Sequence, residues 1–405
     1  MKENFVRLLN KRRLAKTANL TPAERTIAFH TPLPPSKTGA GIYALNIYLN
    51  ILDDLDFVSD FLRTDDYLAT LEYALAPYKQ HLVPQSLIHL RNYCHHVLNL
   101  GNSSFHLPYL LYGIQTKGIP NRHIVLCETQ ICALIDAYCK RQGINFYKLL
   151  RQTYPDKIRN SVLKKGGDWF ENLHKAEIYG IRFLIQATGI KHFIVYREIG
   201  KEMLLADLKG SDFENTATVS VIPMGFEKIE PYPVKIPLDP DSFNIGSFGI
   251  ASDIKQTDKV IRAVDLLNRQ GIKATLWLVG YGVEKYAQCF KSPNVRTVEN
   301  TDYSTLLQYM LSVDLAVQLR KYTNGESSGC LSELIALNKN FIAADNLFEP
   351  YFKTAGTIVS ENCSIEELAT LISDELSHSA IRDNAVLINK YTFKNTAKKM
   401  KEALL

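Results

Sequence analysis

The chain has 405 residues, of which 46% are hydrophobic and 22% are charged, and its formal net charge is +5. This length predicts two domains, and the composition is typical of folded globular proteins. The charge is too weak to indicate a nucleic-acid partner, and no basic stripe with interleaved aromatic residues supports one.

Cysteine usage and hydropathy indicate the cellular setting. The seven cysteines form no Cys-x-x-Cys pair. An odd, scattered set in a chain this long fits a reducing compartment, with most cysteines acting as small core residues. The sequence has no secretory signal and no apolar run near the roughly 20 residues that span a bilayer. We therefore expect a soluble, cytoplasmic protein.

Residues 5–16 (FVRLLNKRRLAK) form a basic segment that contains the apolar residues Phe5, Leu8 and Leu9. Such a segment suits a peripheral contact with an anionic membrane surface. It also suits a solvated helical arm, within residues 1–20, that packs on its own domain, and we favour this second interpretation.

Buried strands alternate with helices through the N-terminal half. Apolar runs predict strands at 26–31, 57–61, 94–100, 123–126, 192–196 and 219–223. Helical spacing predicts helices that begin near 42 and 105, one at 129–141 and one that runs through 205. This alternation favours a parallel sheet covered on both faces.

A proline-rich connector divides the chain, with four prolines in residues 230–241. A second series of strands is predicted at 243–249, 274–280, 295–298, 313–319 and 341–344. Helices are predicted at 258–269, 303–312, from 330, at 365–376 and at 395–405. We therefore expect domains at 1–235 and 236–390, with residues 391–405 forming a helix that packs back on the first domain.

The segment 318–333 (QLRKYTNGESSGCLSE) carries the clearest chemical signal. A small, polar turn lies between a buried strand and a helix, which is how open α/β sheets hold a phosphate. The segment also supplies Arg320 and two carboxylates, Glu326 and Glu333. Carboxylates suit sugar and ribose hydroxyls, so a nucleotide-sugar would use every one of these groups.

Three motifs in the second half, in order, resemble those of the retaining GT-B glycosyltransferases of the mannosyltransferase-like type (glycosyl transferases group 1). They are Gly249-Ile-Ala-Ser-Asp-Ile-Lys255, Leu278-Val-Gly-Tyr-Gly282, and Gly325-Glu-Ser-Ser-Gly329 with Glu333 following. Residues 32–39 and 100–106 resemble a subgroup of the same enzymes. The resemblance implies two Rossmann-like domains with parallel sheets that face a central cleft.

The resemblance also implies an activity and its participants. It indicates metal-independent transfer of a sugar, with retention, from a nucleotide-sugar such as a GDP- or UDP-sugar. The implied acceptor is a glycan or a lipid-linked glycan, in bacterial surface polysaccharide assembly. No cofactor other than the donor itself is implied.

The resemblance assigns roles to individual residues. Lys255 and Arg320 would contact the diphosphate, Glu326 the transferred sugar and Glu333 the ribose. The implied donor-binding set is Gly39, Gly41, Gly249, Lys255, Gly280, Arg320, Gly325, Glu326, Ser327, Ser328, Gly329 and Glu333. The implied acceptor-side set is Asn102, His106 and Glu128. Of all these, Glu326, Arg320, Lys255 and His106 would be catalytic.

Departures from the family pattern at Ile250 and Cys127 keep a catalytically silent binding module open, and a third departure concerns Glu333. Ile250 stands where the family has an arginine, and Cys127-Glu128 stands where many relatives have His-Asp. The two glutamates of the last motif, Glu326 and Glu333, are seven positions apart rather than eight.

Two further motifs point elsewhere. Gly39-Ala-Gly-Ile-Tyr-Ala44, with Asp60 about 20 residues on, matches a dinucleotide fingerprint and makes an NAD-linked oxidoreductase the main alternative. Against it, the insert 32–37 separates the strand from the glycines, whereas the fingerprint needs a tight turn. Asp239-Pro-Asp241 matches a metal-binding signature but lies in the connector, so we predict no metal site.

Overall fold

The computed structural model of the protein describes residues 2–20, 23–34, 36, 39–61, 63–158, 169–226, 229, 232–299, 302–349, 353–377 and 382–404. The chain forms two compact units. The first contains residues 1–224, 324–327 and 393–405, and the second contains 225–323 and 328–392. The chain therefore passes from one unit to the other four times.

The first unit is built on a seven-stranded sheet in which every pairing is parallel. Its strands are β1 (Ala23–His30), β2 (Leu55–Ser59), β3 (Leu82–Pro84), β4 (Arg91–Leu100), β5 (Arg122–Leu126), β6 (His192–Val195) and β7 (Thr218–Val221). They lie in the order β3-β2-β1-β4-β5-β6-β7. The winding direction reverses between β1 and β4, and such a switch point opens a crevice at the carboxyl ends of the strands.

The second unit repeats this topology with six parallel strands. They are β8 (Phe243–Phe248), β9 (Ala274–Gly280), β10 (Val295–Glu299), β11 (Leu315–Gln318), β12 (Phe341–Ala344) and β13 (Thr357–Val359). Their order is β10-β9-β8-β11-β12-β13, which places the switch point between β8 and β11.

Helices connect the strands in both units. Those of the first unit are α1 (Lys2–Ala18), α2 (Gly39–Tyr48), α3 (Thr64–Thr70), α4 (Leu107–Gln115), α5 (Cys132–Gln142), α6 (Phe146–Thr153), α7 (Trp169–Lys175), α8 (Ile181–Thr188), α9 (Glu198–Leu208) and α16 (Phe393–Leu404). Those of the second unit are α10 (Thr257–Arg269), α11 (Val283–Gln288), α12 (Tyr303–Ser312), α13 (Gly329–Ala336), α14 (Ile365–Ser377) and α15 (Ala385–Lys390). Among the described residues, each helix is too short or too polar to cross a bilayer.

The inner strands of each sheet, such as β2, β11 and β12, are buried on both faces, whereas the edge strands β7 and β10 are partly exposed. One core of the first unit joins the sheet to α1, α2 and α16, and it includes Leu14, Phe29, Tyr48, Ala397 and Met400. The core of the second unit forms around the sheet and the apolar faces of α10, α13 and α14.

The predicted α/β fold with two parallel sheets is confirmed. Three elements have the predicted bounds: β9, α12 and β12. Several boundaries were wrong: β2 lies two residues earlier than predicted, and α2 begins at Gly39 rather than at 42. Strands β3 and β13, and helices α3, α6, α7, α8, α11 and α15, were not predicted. The connector has no regular structure over residues 232–239, while Glu230 and Pro231 lie outside the described residues.

Candidate functional site

Two glycines shape the carboxyl end of the second sheet. Gly249 follows β8 with φ +96°, and Gly280 ends β9 with φ +152°. A Cβ added to Gly280 would lie 2.0 Å from the carbonyl oxygen of Gly249. The two backbones touch, so no other residue type fits at Gly280.

Lys255 and Cys330 meet at the end of β8. The Lys255 ammonium lies 3.4 Å from the carbonyl oxygen of Phe248, and the Cys330 thiol lies 3.7 Å from the same oxygen. The chain after β11 is tied to this place, because the Lys321 N–H donates to the carbonyl of Ile254 at 2.8 Å.

Three of the four charged residues predicted for donor binding act electrostatically on the Cys330 thiol. Burial raises the pKa of that thiol to about 11, and Lys255 and Arg320 oppose the rise while Glu333 adds to it. Electrostatic influence on a single sulfur requires these three charges to lie near it. The structure therefore brings Lys255, Arg320 and Glu333 together at the switch point of the second sheet.

Glu333 lies in an unfavourable place for a carboxylate. The residue as a whole is half-buried, but its Oε2 is buried and has no hydrogen-bond partner among the described residues. Burial raises the pKa of Glu333 to about 7, although a hydrogen bond from Tyr303 acts in the opposite direction. A ligand hydroxyl that donated to Oε2 would stabilise the ionised form.

The N-terminus of α13 adjoins these charges in sequence. Ser328 caps the helix, with its Oγ accepting from the Leu331 N–H at 3.3 Å. The exposed Gly329 has open space where a Cβ would be. The first N–H groups of a helix lack intrahelical partners and favour an anion.

In the first unit, Asn99 joins the carboxyl ends of three strands. Its Nδ2 donates to Thr31 Oγ1 at 2.9 Å, and its Oδ1 accepts from the Cys127 thiol at 3.0 Å. Its carbonyl accepts from His106 Nδ1 at 2.8 Å, which places the ring proton on Nδ1. This cluster lies at the switch point of the first sheet.

His106 is 1% exposed. Burial lowers its pKa to about 4, although the hydrogen bond to Asn99 opposes the change, so the ring is neutral at pH 7. Its Nε2 faces Gly101, where an added Cβ would lie 3.0 Å away. The predicted acceptor-side histidine is thus a buried side chain held by main-chain groups.

The other two acceptor-side residues bond to each other. The Asn102 N–H donates to Glu128 Oε1 at 2.9 Å. The Asn102 side-chain oxygen accepts from the Ala133 N–H at 2.8 Å, within the first turn of α5. Asn102 therefore caps α5 in place of Ile131, whose side chain cannot accept a hydrogen bond.

The segment Asn324–Ser327 belongs to the first unit, although it lies in sequence between β11 and α13. Glu326 Oε2 accepts from the Asn324 N–H at 2.7 Å. Asn324 Oδ1 and Ser327 Oγ are buried and have no hydrogen-bond partner in the part of the chain that the structure describes. Three oxygen-bearing side chains that suit hydroxyl groups are thus close together in sequence.

Gly39 and Gly41 both lie in the first turn of α2, and not in a loop before a helix that begins near 42, as the sequence predicted. Eight residues separate the end of β1 at His30 from that helix, whereas a dinucleotide fingerprint places its first glycine in the turn. This geometry argues against the NAD-linked alternative.

The Asp239–Asp241 motif forms a turn. Asp239 Oδ1 accepts from the Asp241 N–H at 3.1 Å, and this bond lowers the pKa of Asp239. Over the described ranges, no group of three or more histidine, cysteine or carboxylate side chains is arranged to hold a metal ion.

Several residues at these sites were not predicted. Cys330, Asn99 and Tyr303 are examples, as are Thr129 and Arg197 beside residues 324–327. The position of Arg197, just after β6, was a usable signal, because residues that follow parallel strands collect at one edge of the sheet.

Solved structures identify the fold. HepE from Anabaena, in complex with UDP-glucose, matches with a TM-score of 0.55 and 14% identity, over 94% of this chain and 99% of that chain. The trehalose-6-phosphate synthase OtsA matches with a TM-score of 0.58 and 11% identity, over 94% and 98%. A UDP-forming α,α-trehalose-phosphate synthase from Burkholderia xenovorans, in complex with glucose-6-phosphate, matches with a TM-score of 0.56 and 10% identity, over 94% and 100%.

These likenesses define the class of fold. The protein has the GT-B fold, with one parallel, Rossmann-like sheet in each unit. No protein-family profile and no curated protein sequence matches the chain. At identities of 10–14%, the likeness concerns the fold alone.

Proposed function

We propose that the protein is a glycosyltransferase that moves a hexosyl group from a nucleotide-sugar to a glycan or glycolipid acceptor, with retention of anomeric configuration. One observation carries the proposal: Lys255, Arg320 and Glu333, whose Oε2 is buried, lie near Cys330 at the switch point of the second sheet. Two cations suit a diphosphate, and a buried carboxylate suits ribose hydroxyls. A nucleotide-sugar offers both.

The chemistry follows from these charges. The acceptor hydroxyl oxygen bonds to the anomeric carbon as the bond from that carbon to the diphosphate oxygen breaks. The acceptor proton passes to an oxygen of the leaving diphosphate, on the same face of the sugar. Lys255, Arg320 and the N-terminus of α13 stabilise the leaving charge, so the step needs no metal ion. Glu326 binds hydroxyls of the transferred sugar.

The acceptor is assigned to the first unit. Asn102 and Glu128 form its polar edge, and the buried, neutral His106 lies nearby in sequence, bonded to the carbonyl of Asn99. Helix α1 exposes Lys11, Arg12, Arg13 and Lys16, which suit a peripheral contact with anionic lipid near a lipid-linked acceptor. Surface polysaccharide assembly in bacteria is the proposed setting.

The first experiment is nucleotide binding by calorimetry and thermal shift. UDP and UDP-glucose are the first ligands to test, because the HepE structure of the same fold contains UDP-glucose. GDP, GDP-mannose, CMP and NAD complete the set. A ligand that binds only the folded state raises its melting temperature. A shift with NAD alone would refute the proposal.

Variants then test the site. Charge-assisted hydrogen bonds contribute about 1.5–3 kcal/mol, so Lys255→Ala and Arg320→Ala should each weaken nucleotide binding by roughly 10- to 100-fold. Lys285→Ala, at an exposed position of α11, is the matched control and should leave binding unchanged. If all three variants bound the nucleotide as tightly as wild type does, Lys255 and Arg320 would not contact the diphosphate.

Turnover separates an enzyme from a binding module. Release of UDP or GDP from the donor, with a sugar-bearing product that retains its anomeric configuration, would support transfer. Turnover should persist in excess EDTA and be lost in Glu326→Ala. Donor binding without turnover of any acceptor would instead support the catalytically silent module.

A further inference from the structure

The segment 324–327 is fixed to the first unit by its main chain. The carbonyl oxygen of Asn324 accepts from the N–H groups of Thr129 and Gln130, at 2.7 and 3.1 Å. Two donors on one carbonyl restrict the segment in both position and direction. Asn324 itself is buried.

Two glycines let the main chains approach each other. Gly325 has φ +81°, and a Cβ added to it would lie 2.5 Å from Thr129 Oγ1 and 3.1 Å from the Cα of Gly200. A Cβ added to Gly200 would lie 3.2 Å from the carbonyl oxygen of Gly325. Thr129 Oγ1 in turn donates to the carbonyl of Gly200 at 3.1 Å. The contact leaves no room for a side chain at Gly325.

Arg197 provides the next contact along the segment. It precedes α9, is 3% exposed, and donates from Nη1 to the carbonyl oxygen of Glu326 at 3.0 Å. This bond orients the peptide from which the Glu326 side chain projects. The bond from the Asn324 N–H to Glu326 Oε2 then restricts that side chain, so Glu326 is restrained both at its main-chain carbonyl and at its carboxylate.

We infer that Arg197 is a positioning residue for donor-sugar recognition: it fixes the Glu326 carboxylate so that it meets the hydroxyls of the transferred sugar. The inference rests on the proposed function. Asn324 Oδ1 and Ser327 Oγ, both buried, add acceptors that a hydroxyl-bearing ligand satisfies. Arg197 therefore acts on the sugar of the donor and not on its nucleotide.

The test compares UDP with UDP-glucose in Arg197→Met, Arg197→Lys and wild type, with GDP and GDP-mannose used instead if those bind wild type. Misplacement of a positioning group by about 1 Å costs on the order of 100-fold in rate. We expect Arg197→Met to lose the affinity that the sugar adds and to lower kcat by roughly 10- to 100-fold. Nucleotide affinity should change less than about twofold. Arg197→Lys, which keeps a charged donor, should recover part of both losses.

Arg122→Met is the matched control for a general effect on folding. Arg122 is another buried arginine of the first unit, and it donates to the carbonyls of Ile119, Gly113 and Thr188. Its variant should lower the melting temperature without a selective loss of sugar affinity. If Arg197→Met does not fold, Gly325→Ala disturbs the same segment and should give the same selective loss.

The outcomes separate the two hypotheses. Wild-type protein that binds none of these nucleotides would refute the proposed function and, with it, the role of Arg197. Wild-type protein that binds the donor while Arg197→Met shows unchanged sugar affinity and kcat would refute the role of Arg197 alone. Equal losses for nucleotide and nucleotide-sugar would also refute it, because they indicate a structural effect.

Discussion

Replacement of Glu333 by glutamine should make the protein more stable at neutral and alkaline pH. Burial raises the pKa of Glu333 from 4.5 to about 7, so the folded state binds this proton more tightly than the unfolded state does. Between pH 4.5 and about 7 the unfolded state loses its proton first, so the contribution of Glu333 to the stability of the wild-type protein falls as the pH rises. Glutamine carries no such cost.

The size of the effect follows from the shift. One pKa unit corresponds to 1.36 kcal/mol, so the wild-type protein loses about 3 kcal/mol between pH 4 and pH 8 through this group. Partial solvent contact reduces the observed value, and about 1–3 kcal/mol is expected. The free energies of unfolding of wild type and Glu333→Gln, from urea titrations at pH 4 to 8, should diverge by this amount as the pH rises.

Glu299→Gln is a control for which the expected change in stability has the opposite sign. Glu299 accepts from the N–H groups of Glu284 and Gly282, and these bonds lower its pKa. Its variant should be less stable than wild type above pH 4.5 and should approach wild type as the pH falls. A constant difference between wild type and Glu333→Gln from pH 4 to pH 8 would refute the argument for Glu333.

The same carboxylate links donor binding to protons. If ribose hydroxyls bind ionised Glu333, donor affinity should rise with pH up to about 7 and then level off. Calorimetry at pH 7 in buffers of different ionisation enthalpy should show proton release on binding. Glu333→Gln should bind more weakly and release no proton, which separates its gain in stability from its loss of function.

Three further outcomes are expected. Gly280→Ala should lower stability by several kcal/mol or prevent folding, because its Cβ would lie 2.0 Å from a carbonyl oxygen, while Gly271→Ala, at φ +88° with open space around it, should cost about 1–2 kcal/mol in a urea titration. The contribution of His96 to stability should be lost as the pH falls from 6.5 towards 4, because burial lowers its pKa to about 4, so the stability of His96→Gln relative to wild type should rise over that range. Asn102→Ala should lower the free energy of unfolding by about 1 kcal/mol through the lost cap of α5, and Asn102→Asp should not.

The elements that were predicted well are those whose pattern is local. Strand β9 and helix α12 show clear apolar periodicity between turn residues, and their bounds match. Strand β3, by contrast, has three residues and ends at Pro84, which leaves too little alternation to detect. The approach of Lys255, Arg320 and Glu333 could be anticipated, because residues that follow adjacent parallel strands meet at one edge.

The environment of residues 324–327 could not be predicted. It depends on hydrogen bonds from Thr129 and Gln130 to Asn324, which lies almost 200 positions further along the chain, and on a main-chain contact between Gly325 and Gly200. No local pattern encodes such pairs. The burial of His106 depends on nearer partners, Asn99 and Gly101, which the apolar pattern of this segment does not identify.

The four passages of the chain between the units bear on how the protein can be dissected. A protease that cuts the connector at residues 232–239 separates the sequence into two pieces, but the second piece carries α16. Ala397 and Met400 of that helix lie in the same core as Phe29 and Tyr48 of the first piece. The nicked protein should therefore elute as a single species from a sizing column and come apart only in denaturant. Expression of either half alone would leave that core incomplete.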